Sequence, residues 1–195
     1  MFKLISILLI SLLPAFAQAA PAKELVTAAR SQIGVTLHYN PAYEKLAYPG
    51  GDIPMERGVC TDVIVRAYRK VGVDLQELVH KDMKKAWNKY PHVQKWQLKK
   101  PDPNIDHRRV PNLATFLGRH GTTVAPSKEA STYLPGDVVT WRLPGNLTHI
   151  GIVGDKRTGT GVPLIIHNIG SGAQEEDMLF KYEVTGHYRW HPKGA

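Results

Sequence analysis

The groups in this 195-residue chain best suited to covalent or proton-transfer chemistry are its single cysteine, Cys60, and its nine histidines. A cysteine attacks as the thiolate, which is favoured at the positive end of a helix and beside an imidazole that takes the proton. Cys60 opens the strongest amphipathic pattern in the chain. Val59, Cys60, Val63, Ile64, Ala67, Tyr68 and Val71 share one helical face, and Arg66, Arg69 and Lys70 lie opposite. Taken alone, a cysteine on such a face is more often a small packing residue. Two histidines shift that balance. His149 lies in the apolar run Thr148 to Val153 and His167 in Leu164 to Asn168, and a hairpin turning near Thr158 sets the two residues directly opposite. Opposed residues share a sheet face with Cβ atoms roughly 4.5 to 5.5 Å apart, near enough for one imidazole to orient the other. Cys60 as nucleophile, His149 as base and His167 as orienter make a triad. Asn168 is the reserve orienter, since a one-residue slip would exchange it for His167. Gly151, central in its strand, marks a close approach by another group.

The elements that must position these groups read as an α+β fold. A first helix is expected over about Ala22 to Ile33, followed by a loop from Val35 to Gly58 whose aromatics are either packing covers or cleft walls. Tyr48 and Asp52 in that loop are substrate-binding candidates. Asp62 in the next helix is a third, with a structural alternative as an acid that favours the helix dipole. Between Asp74 and Ser131 lies a basic stretch with two further helices, about Leu78 to Tyr90 and Leu113 to Gly118, the latter capped by Asn112. The last third reads as antiparallel strands over Asp137 to Trp141, Thr148 to Val153, Pro163 to Asn168 and Tyr182 to Trp190. One domain over 20–195 is expected, with residues of about 74–131 inserted between helix and sheet.

Composition narrows the class. With 43% apolar and 22% charged residues the chain is neither disordered nor collagenous, and one cysteine excludes an internal disulfide. Lys3, the apolar run Leu4 to Leu13 and the small residues Ala17-Gln18-Ala19-Ala20 read as an export signal over 1–19, too short to span a bilayer. A periplasmic or secreted protein without membrane insertion is expected, with a monomer as the default and the oligomeric state left open. Losing Lys3 takes the formal charge from +8 to +7, and the positive excess is concentrated between residues 80 and 110.

The motifs Gly58-Val59-Cys60-Thr61-Asp62, Pro135-Gly136-Asp137-Val138-Val139, Thr148-His149-Ile150-Gly151-Ile152-Val153 and Ile165-Ile166-His167 resemble successive landmarks of the NlpC-type cell-wall cysteine peptidases of the papain-like superfamily. The likeness is closest to an uncharacterised exported bacterial branch. It implies a papain-like fold, the Cys60–His149–His167 roles above, and hydrolysis of an amide in the peptide part of peptidoglycan. Val59 and Thr61 stand where better-known members carry Asp and Ser. No cofactor is implied. A metal site on Cys60, His149 and His167 matches no standard zinc spacing, and the lack of a recognised motif argues against nucleic acid. Two other readings remain: a non-catalytic module whose basic stretch holds an anionic wall polymer, and an amine acyltransferase using the same thioester.

Overall fold

Helical spacing in the first half and alternating strands in the second are realised as helices laid on one face of an antiparallel sheet. The structure, a computed structural model, describes residues 19–91 and 98–191. The export signal expected over 1–19 lies outside the described residues except for Ala19. No helix among the described residues is long and apolar enough to cross a membrane.

Helix α1 (Ala19–Arg30) buries Leu25, Val26 and Ala29. It stops earlier than its apolar spacing suggests because the chain turns through Gly34, whose φ of 78° suits glycine. Helix α2 (Cys60–Lys70) buries Val63, Ile64, Ala67 and Tyr68, side chains worth roughly 1.5 to 3 kcal/mol each for the larger aliphatics. It closes at Gly72, φ 84°, where Val73 N–H donates back to Tyr68 O at 3.0 Å. The basic stretch supplies α3 (Leu75–Lys85) and α4 (Val110–His120). Helix α3 begins earlier than expected because Asp74 caps the Gln76 N–H at 3.1 Å. Asn112 does not cap α4. It lies inside the helix and its Nδ2 donates to Asp106 O at 3.0 Å. Nor is this stretch a mere appendage, since Val79, Met83, Leu113 and Leu117 enter the same core as α1 and α2.

A parallel pair, β1 (His38–Tyr39) and β2 (Arg57–Gly58), precedes α2. The main sheet contains β3 (Thr122–Val124), β4 (Val138–Leu143), β5 (Leu147–Arg157), β6 (Pro163–Asn168), β7 (Ala173–Glu176) and β8 (Glu183–Arg189), in the order β3-β8-β4-β5-β6-β7. Ile150, Ile152 and Ile166 face the helices, whereas Trp141, Val153 and Ile165 enter a smaller cluster with Tyr133, Met178 and Leu179. The sequence reading misses β3 and β7, which are short, polar edge strands without clear alternation.

Candidate active site

Cys60 is the first residue of α2, and the chain leading to it is held by ionic side chains. Asp62 Oδ2 accepts the Val59 N–H at 2.7 Å, and the carboxylate is clasped by Arg108 at 2.9 and 3.0 Å. The same guanidinium donates to Ala42 O and Asn40 O at 3.0 and 3.2 Å, tying the loop that carries Tyr39 to the start of α2. Arg66, expected on the solvent face, is buried instead. The loop before α2 folds over that face, where Arg66 grips Asp52 at 2.9 and 3.0 Å and donates to Ile53 O at 3.1 Å.

The Cys60 thiol lies at the floor of a cleft of about 300 Å³ whose walls include Tyr39, Pro41, Arg109, Val110, Leu147 and Thr148. The residue is only 3% exposed, yet the sulfur is not sealed in hydrocarbon: the N–H groups of Ile150 and Thr61 and the Tyr39 hydroxyl donate towards it. Burial outweighs these donors and pushes the thiol up to about 12. The sulfur therefore meets β5 one residue past His149. The imidazole of His149 does not join it there: His149 alternates with Ile150, pairs directly with Trp141 and so shares the sheet face of Trp141, Val153 and Ile165, away from α2, and it does not line the cleft.

His149 is buried beside Trp141, ring centroids 5.9 Å apart, and its Nε2 lies 2.8 Å from His167 Nδ1. Burial lowers His149 to about 3, so the ring is neutral at pH 7. The pairing differs from the expected register. Ile152 faces Ile166 and Val153 faces Ile165, which shifts the hairpin by two residues while preserving the shared face. A β-bulge between Val153 and Arg157 breaks the symmetry of the turn. Extended along the strands, this register sets Gly151 across from His167, and His149 reaches diagonally. A Cβ at Gly151 would stand 2.6 Å from Ile165 Cγ2 and 3.2 Å from His167 Cβ.

Asn168 is not the orienter, because its Nδ2 donates to Gly58 O at 3.1 Å and secures the chain before α2. The substrate-binding candidates Tyr48, Asp52 and Asp62 do not line the cleft. Tyr48 stacks edge-on to His80 at 5.1 Å, Asp52 is held by Arg66, and Asp62 is held by Arg108. The residues missed are Tyr39, Arg109 and Glu176. Tyr39 belongs to the aromatic loop already singled out, and Arg109 precedes Pro111, a helix-start signal. Glu176, 2.9 Å from His167 Nε2, gives no signal in its polar strand. No group of three or more His, Cys, Asp or Glu that could hold a metal occurs among the described residues.

The fold is thus an α+β domain with a helix-start cysteine on the helix-covered face of the sheet and a bonded histidine pair, His149 and His167, on the opposite face. Residues 26–190 match the family described as Domain of unknown function (DUF1287), and the chain belongs to that family. It is 59% identical over 165 residues to the "Uncharacterized protein YijF" of Escherichia coli (strain K12), covering 85% of this chain and 80% of that one. Among solved structures it is similar to NlpC1 from Trichomonas vaginalis, with a TM-score of 0.47 and 13% identity over 87% of this chain. The chain spans 44% of that protein's length.

Proposed function

We propose that this protein is an exported, papain-like cysteine hydrolase that cleaves an amide bond in the peptide part of bacterial peptidoglycan. The observation that carries the reading is the 2.8 Å bond between His149 Nε2 and His167 Nδ1, with the Cys60 thiol held against the N–H of the residue following His149. Thiol acyl transfer needs an oriented imidazole within reach of a helix-start thiol, so this reading requires His149, which packs on the opposite sheet face from Cys60, to come within reach of the sulfur when substrate binds. The landmark motifs around Cys60, His149 and His167 resemble those of the NlpC-type peptidases and support the substrate class. The cleft supports it too: about 300 Å³ suits a few residues of peptide, and Arg109 together with the N-terminal end of α4 favours a carboxylate-bearing one.

In this reading both partners rest uncharged. On substrate binding the thiol proton passes to His149 as sulfur attacks the amide carbonyl, and backbone N–H groups at the start of α2, including that of Cys60, stabilise the oxyanion. The carbon–nitrogen bond breaks as His149 returns the proton to the leaving amine. Water then resolves the thioester to a free carboxylic acid and restores the thiol. The test is to incubate residues 20–195 with purified sacculi and identify released fragments by mass. New amino and carboxyl termini within the stem peptides are expected. Cuts confined to the glycan, or no release, would overturn the assignment.

A further inference from the structure

A neutral imidazole carries its one proton on either of two nitrogens, and that choice decides which nitrogen of His149 is left to accept a proton. Glu176 settles the choice at the far end of the chain of bonds. It stands on β7, where Glu176 pairs with Ile165 and Gln174 with His167, so its side chain shares the face of His167 and reaches it diagonally. Glu176 Oε1 lies 2.9 Å from His167 Nε2. A carboxylate oxygen only accepts, so Nε2 of His167 bears the proton and donates it. Nδ1 of the neutral ring is then a lone pair, and His149 Nε2, 2.8 Å away, must be the donor to it. The proton of His149 is thereby fixed on Nε2, which leaves Nδ1 as its basic nitrogen.

We propose that Glu176 is the positioning residue of the site, setting the tautomer of His167 and, through it, that of His149. The inference deepens the hydrolase reading and rests on it for its catalytic consequence, while the tautomers themselves do not depend on any substrate. The groups acting on His167 are Glu176 from β7, His149 from β5 and Lys181 from the turn before β8. Burial lowers His167, the charge and hydrogen bond of Glu176 raise it and Lys181 lowers it; burial prevails, which keeps the ring in the single-proton form that transmits the choice. The Glu176 side chain is 42% exposed, so it can be exchanged without opening the core.

Nitrogen chemical shifts of the imidazoles in ¹⁵N-histidine-labelled protein at pH 7 test this directly. In the wild type, His149 and His167 are expected to show protonated Nε2 and unprotonated Nδ1. Glu176→Lys, which offers only donors, is expected to move the proton of His167 to Nδ1 and that of His149 likewise. Glu176→Gln restores an acceptor and is expected to keep the wild-type pattern. On sacculi, Glu176→Lys should lose about 10²-fold or more in rate, the scale of general-base loss, with Glu176→Gln intermediate. A wild-type His149 protonated on Nδ1, or a His149 pattern identical in the wild type and Glu176→Lys, would overturn the proposal. If Glu176→Lys does not fold, the wild-type shifts alone decide it. Correct tautomers in a protein that releases nothing from sacculi would sink the hydrolase reading and leave this inference standing.

Discussion

Cys60 and His149 are each neutral: burial pushes the thiol up to about 12 and lowers the imidazole to about 3, so neither is ionised at pH 7. A resting thiolate–imidazolium pair would give a reactivity plateau towards a small alkylating agent from mildly acid pH upward. The neutral pair gives a different curve. Alkylation of Cys60 by iodoacetamide is expected to be slow at pH 6 and to rise continuously to pH 10, read by intact mass; a plateau below pH 7 would contradict the neutral pair. Cys60, His149 and His167 were legible as candidates from type and spacing, though not the side of the sheet on which the two imidazoles fall, away from Cys60. The groups that hold them were not, because each acts through a contact distant in sequence. Arg108 reads as one more cation in a basic stretch until the fold brings it onto Asp62, and Glu176 has no local pattern to announce it.

At the scale of elements, the amphipathic run after Val59 and the apolar strands were readable because each follows one period over several residues. The hairpin register was not, since the bulge in β5 adds a shift that turn symmetry cannot foresee. Parity survived, and so did the shared face of His149 and His167. Gly151 matters more in the diagonal geometry than in the expected one, because the imidazole passes over it. Gly151→Ala would force β5 away from Ile165 and His167 at a cost of about 1 to 3 kcal/mol, the usual range for overpacking. Chemical denaturation should show that loss. Activity on sacculi should fall further than stability explains, since the histidine pair is displaced; full activity would show that the pair tolerates the shift.

Across the whole molecule, buried neutral histidines couple folding to pH. His149 and His107 are each lowered to about 3 by burial, so between pH 6.5 and 3 the unfolded chain binds more protons than the folded one. Stability from these groups is complete above pH 6.5 and drains as pH falls. Asp106, raised to about 7 by burial, acts in the opposite sense between pH 4 and 7, one group against two. Below pH 4 the carboxylates held low by their ion pairs, such as Asp82 at about 2, add to the loss. Tm is therefore expected to be lower at pH 5 than at pH 7 and lower again at pH 3.5; a maximum near pH 5 would contradict this balance. The central claim is chemical, and replacing one atom tests it most directly. The rate at which Cys60→Ala releases stem-peptide fragments from sacculi, measured against wild type at matched Tm, should be reduced by about 10³-fold or more, as for loss of a nucleophile. Release at the wild-type rate would show that Cys60 is a packing residue and that the chemistry, if any, lies elsewhere.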